Sequence, residues 1–127
     1  MNDFTWIEHM FQTEGFAISP KLHWFLHADD QVITPYSPAT ERYSILNIEW
    51  LQQQFPTLKC VPFARRFDRD DMFAVVLQDA IYERGQVVLF DIEDVNHYII
   101  EETFTSLDAW AHDVWTTLEK YRPHRES

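Results

Sequence analysis

Apolar positions along the chain change character at Pro56: before it they recur at helical intervals, and after it they crowd into short β-branched and aromatic runs. Phe4, Ile7 and Phe11 share one face of a first helix reaching about Thr13 and ended by Gly15; Asn2 or Asp3 can cap it, with Thr5 and Glu8 at capping-box spacing. Ser19-Pro20 joins a capping side chain to the residue best preset for the first helical position, so KLHWFLHA is a second short helix with Leu22, Phe25 and Leu26 inward. Residues 30–44 are polar, carry Pro35 and Pro38, and read as a loop or irregular strand over the surface. SILN then looks extended, and Asn47 caps a third short helix, IEWLQQQF, which Pro56 stops.

Four strand-like runs follow: LKCVPFA, MFAVVLQ, QVVLFDIE and HYIIEETF. Gly85 suits a positive φ between two of them, so Met72 to Gln78 and Gln86 to Ile92 pair antiparallel, through a connection that Asp79 to Glu83 makes longer than a tight hairpin. The closing segment is the plainest helix: Thr105 and Asp108 at capping-box spacing, then Leu107, Trp110, Ala111, Val114, Trp115, Leu118 and Tyr121. Only the sheet offers an apolar surface large enough to receive it. The expected fold is therefore α+β: a central twisted, mainly antiparallel sheet of four to six strands, with helices packed on one face and a C-terminal amphipathic helix closing it. No repeat or linker divides residues 1–127, which read as one domain with a frayed RPHRES tail.

Composition supports a packed interior, with 46% hydrophobic and 16% aromatic residues. Cys60 stands alone, which rules out an intramolecular disulfide, and its place in an apolar strand raises the thiol's pKa and lowers its reactivity. The formal charge of -11 argues against nucleic acid and anionic membrane as partners and favours a basic protein. No apolar run approaches the roughly 18 residues of a spanning helix. The N-terminus lacks a basic region followed by an apolar one, so a cytoplasmic location is expected.

Two glycines in the whole chain exclude a Walker loop, a dinucleotide fingerprint and a G-x-S-x-G elbow. His23 and His27 share a helical face, but Trp24 stands where a zincin needs Glu, so they read as solvated or hydrogen-bonded histidines. Carboxylates gather near strand ends at Asp68, Asp70 and Asp71, and again at Asp91, Glu93 and Asp94. Neither group has EF-hand spacing. Arg65, Arg66 and Arg69 interleave the first, which points to local ion pairing, and nothing further supports a paired-carboxylate hydrolase. Trp110 and Trp115 read as core.

The order of ISPKLHWFL, KCVPFARRFDRDDMFAVVL, GQVVLFDIE and EETFTSLDAWAHDVW, from about Phe4 to Leu118, resembles the SUKH superfamily, the Smi/Knr-like proteins. The family usually carries a glycine before the acidic residue of its central turn; here Asp70 and Asp71 stand there. The resemblance implies a central twisted sheet with packed helices, no transferable catalytic residue and no cofactor. It also implies a binding role. Many bacterial members look like immunity proteins that neutralise a toxin, often a nuclease, and fungal relatives act as interaction scaffolds.

A nuclease presents a cationic surface, which an acidic inhibitor can cover. The expected function is thus an immunity protein whose acidic, aromatic-edged face blocks a basic toxin through Asp68, Asp70, Asp71, Asp91, Glu93 and Asp94, with Tyr36 as aromatic anchor. The alternative is a regulatory adaptor for endogenous proteins; an acid-cluster or metal-dependent enzyme comes third.

Overall fold

Ile7 and Phe11, one helical turn apart, are both fully buried and fix the inward face of α1 (Thr5–Thr13). The computed structural model describes residues 4–94 and 97–120, with Glu93 and Asp94 described by their backbone alone. The Asn2 and Asp3 caps, the inward Tyr121 and the frayed tail lie outside the described residues. Phe4 occupies the N-cap position, so Thr5 is the first helical residue and not the cap. Gly15 ends the helix at φ 80 as expected, with Phe16 N–H reaching back to Phe11 O at 2.8 Å. α2 (Pro20–His27) starts as its sequence predicts, with Ser19 Oγ accepting from Leu22 N–H at 3.2 Å.

The segment 30–44 is where local signals misled. It holds the short α3 (Asp30–Ile33), the strand β1 (Tyr36–Pro38) and the start of α4 (Glu41–Gln54), which Thr40 caps by accepting from Tyr43 N–H at 3.2 Å. SILN is therefore helical, and Asn47 lies inside α4 and does not cap it. The physical reason is an inverted pattern: α4 buries Ser44, Asn47 and Leu51 while Ile45 and Leu46 stay exposed, so hydropathy hides the inner face.

The sheet is an antiparallel meander in the order β1-β2-β3-β4-β5, adding β2 (Lys59–Arg66), β3 (Asp71–Gln78), β4 (Val87–Asp94) and β5 (His97–Phe104). The expected β3–β4 pairing is present, with Met72 opposite Phe90 and Val75 opposite Val87. Gly85 takes φ 91 and its N–H bonds Val76 O at 2.8 Å. The long connection is organised by Asp79, whose carboxylate accepts from the Tyr82 and Ile81 N–H groups, each at 2.9 Å, which holds its pKa below the usual carboxylate range. α5 (Leu107–Glu119) begins one residue later than its capping box suggested: Ser106, not Thr105, caps it, accepting from Ala109 N–H at 3.0 Å.

The α+β expectation holds, but the helices cover both faces of the sheet. Phe73, Val75, Val87 and Leu89 meet α1, α2, α3 and α5, whereas Met72, Ala74, Val76, Val88 and Phe90 meet Leu51 of α4. Consecutive apolar residues in MFAVV and VVLF project to alternate sides, so each side needs a cover. Trp110 anchors the first core, its ring 4.8 Å from Phe63, 5.0 Å from Phe25 and 5.3 Å from Phe73. Trp115, expected in the core, is half-buried and outside both core clusters; it packs edge-on to Trp24 at 4.9 Å. Cys60 is buried, and burial pushes its thiol up to about 12.

Candidate functional site

The turn from β2 to β3 gathers most of the expected site. Antiparallel register sets Tyr36, Arg66, Asp71 and Asp91 in one row across four strands, each the Cα partner of the next. Cross-strand partners share a face, and this row lies on the α5 side, in line with Phe73 two residues on. Arg66 orders the turn: its Nε and Nη2 donate to the two Asp68 oxygens at 2.7 and 3.2 Å, and its Nη1 donates to the Tyr36 hydroxyl at 3.1 Å. This is the local ion pairing that the interleaved arginines announced.

Asp70 takes φ 53, the left-handed region that Asp tolerates better than most side chains. Asp71 is 4% exposed, and its Oδ2 has no hydrogen-bond partner. Burial, reinforced by the negative charges of Glu101 and Asp91 and opposed by Arg69 and Arg66, pushes its pKa up to about 6. Asp68 and Asp70 are exposed and Asp91 is half-buried. Glu93 and Asp94 continue β4 beyond Asp91, but their side chains lie outside what is described.

Two expectations need correcting. Tyr36 is no surface anchor: it is 3% exposed, belongs to the first core, and its ring lies 6.1 Å from that of Phe73. β1 pairs with β2 and carries the residue inward, and burial raises its pKa against the pull of Arg66. Nor is the turn a uniformly acidic face. Arg65, Arg66 and Arg69 stand among Asp68, Asp70, Asp71 and Asp91, and much of their charge is locally offset.

The aromatic edge lies on the opposite side of the sheet. Between α4 and the turn opens a cleft of about 330 Å³, walled by Tyr43, Trp50, Phe67 and Tyr98, with Leu46 and Asp70 among its lining residues. Phe67 is 57% exposed and Leu46 44%, so the rim of the cleft presents two large apolar side chains to solvent. The Arg65 guanidinium lies 4.3 Å from the Tyr43 ring centre and 4.9 Å from that of Phe67, stacked against both. Deeper in, Tyr98 Oη donates to Asn47 Oδ1 at 2.7 Å and Asn47 Nδ2 donates to Tyr43 O at 2.8 Å, which rigidifies the floor. Burial pushes the Tyr98 hydroxyl up to about 12. Sequence reasoning missed this cleft, although one signal was present: Phe67 is a large apolar residue alone among the charges of RRFDRD.

Elsewhere, His23 and His27 stack with ring centres 4.3 Å apart, and His27 Nε2 pairs with Glu8. Among the described residues no group of three or more His, Cys, Asp or Glu side chains is placed to hold a metal ion, and no helix is long and apolar enough to cross a membrane. No family model, curated protein or solved structure matches the chain.

Proposed function

We propose that this chain is a non-catalytic protein-binding domain of the SUKH type, an immunity protein that holds and neutralises a basic toxin domain such as a nuclease. The observation that carries this reading is the cleft beside the β2–β3 turn, where exposed Leu46 and Phe67 flank an aromatic pocket next to Asp70. Its volume lies at the small end of the range of about 300–1,000 Å³ in which ligand pockets fall, which suits one anchoring side chain of a protein partner. Asp68 and Asp70 on the turn supply negative charge to a cationic partner's approach. The net charge of -11 acts in the same sense over a longer range. Asp70 also supports the family reading, since it takes the positive φ where the family carries its glycine.

The test pairs this protein with a purified toxin domain encoded beside its gene. The expected results are a stable complex, rescue of growth on co-expression, and an association rate that drops when Asp68 and Asp70 are both changed to Lys. Asp71 is too buried to serve in that role. A locus without a toxin gene, no complex at low salt, or an association rate indifferent to both charge reversals would overturn the proposal.

A further inference from the structure

Tyr36, Arg66 and Asp71 of the cross-strand row floor a second pocket, of about 260 Å³, on the α5 side of the sheet; Arg66 and Asp71 also reach the lining of the aromatic cleft. Asp113, Thr117 and Lys120 of α5 line it, with Glu102 of β5 and Arg69 of the turn. Phe73 and Leu89 supply an apolar patch within it.

The hydrogen bonds of this pocket are incomplete at one atom. Arg66 is committed to Asp68 and to the Tyr36 hydroxyl, while the buried Asp71 carboxyl keeps Oδ2 without a donor. Buried carboxyl oxygens are almost always paired, because an unmet one carries the full cost of leaving water. Three acids, Asp71, Glu102 and Asp113, and three cations, Arg66, Arg69 and Lys120, line the pocket; Arg66 is held by Asp68, and Asp91 and Glu101 add negative charge at Asp71. Burial first, and the charges of Glu101 and Asp91 after it, keep a proton on Asp71 up to about pH 6.

From this geometry we infer that the α5-side pocket binds an organic cation with several N–H donors, a guanidinium or primary ammonium, whose charge meets Asp71 and Asp113 and whose carbon stem lies on Phe73 and Leu89. With Arg66 held by Asp68, an anion would meet Asp71, Glu102 and Asp113 against Arg69 and Lys120. The cation is either a free amine or the Arg or Lys side chain of a protein partner, and the chemistry of recognition is the same for both.

The experiment is an NMR titration of the full chain with methylguanidinium and butylammonium, with acetate as the anionic control. Two end-blocked peptides, one bearing a single Arg and one a single Lys, distinguish the sources: tighter binding by a peptide points to a partner's side chain, and tighter binding by the free cation points to a small amine. The expected result is saturable shifts at Asp71, Asp113 and Thr117, with affinity lowered about tenfold between pH 7 and pH 5 as Asp71 takes up its proton. Asp71→Asn should lower affinity by a similar factor, while Phe67→Ala, in the other cleft, should leave it unchanged. Should Asp71→Asn fail to fold, the pH dependence of the unmodified protein reads the same carboxyl. No saturable shift with any cation, equal binding of acetate, or binding indifferent to pH across that range overturns the inference. Toxin binding is read at Asp68, Asp70 and Phe67 and cation binding at Asp113 and Thr117 of α5, which line only this pocket, so the two can fail independently.

Discussion

Arg66 and Asp71 stand directly opposite each other on adjacent strands, yet the guanidinium bonds Asp68 and the Tyr36 hydroxyl, and Asp71 Oδ2 is left without a donor. A two-residue step along the chain thus takes the arginine that register would give to its neighbour.

The cost of that arrangement depends on pH. The folded-state pKa of Asp71, about 6, lies above the ordinary carboxylate value, so between about pH 4 and pH 6 the folded protein keeps a proton that the unfolded chain has shed. Stability therefore falls as pH rises through that window. Asp71→Asn should raise the melting temperature near neutral pH by several degrees, on the order of 2 kcal/mol, with the advantage vanishing toward about pH 4. Thermal denaturation at both pH values checks it, and an advantage independent of pH would show that ionised Asp71 is not the source.

Removing the competitor should release the arginine. Asp68→Ala leaves the buried Arg66 guanidinium without its carboxylate and should cost about 1–2 kcal/mol, less than a fully buried pair because Asp68 is half exposed. In the same variant Arg66 can turn to Asp71, whose pKa should fall below about 6. Carboxyl NMR titration measures the shift, and an unchanged Asp71 would mean that Arg66 stays where it is.

The turn's backbone offers a test of a different kind. At φ 53 Asp70 sits where glycine is at ease, so Asp70→Gly should be neutral or slightly stabilising and Asp70→Val should cost about 1–2 kcal/mol through the clash of its branched Cβ. Chemical denaturation ranks the three proteins.

Large apolar residues in this molecule separate by role. Trp110, fully buried against three other rings, should cost about 3–5 kcal/mol on truncation to Ala. Leu46→Ala and Phe67→Ala, both at exposed positions, should change stability by no more than about 0.5 kcal/mol. If the cleft anchors a partner, the double variant should still weaken the complex by at least about tenfold. Denaturation midpoints beside binding isotherms separate the two effects.

What the chain revealed locally was what it encodes within a few residues. Ser19-Pro20 sets the start of α2, Gly15 the end of α1, Gly85 the β3–β4 connection, and the spacing from Leu107 to Leu118 the buried stripe of α5. The carboxylates of Asp68, Asp70, Asp71 and Asp91 were also legible as a cluster, because three are neighbours in sequence and β3–β4 pairing brings the fourth beside them.

Tertiary structure decided what depends on distant partners. Asn47 is tolerated on the inner face of α4 because the Tyr98 hydroxyl, 51 residues away, satisfies it; without that bond a buried amide would favour the cap or loop its sequence suggested. The same holds for Tyr36, carried inward only when β1 meets β2, and for Arg66, whose partners are fixed by the turn. By itself the sequence determined where α1, α2, α5 and the four later strands lie, since caps, turns and periodicity are short-range signals, but not α3, β1 or the start of α4. Which face each polar residue meets, and therefore which acids are exposed to a partner and which is left buried without a donor, is set by long-range packing that no local pattern contains.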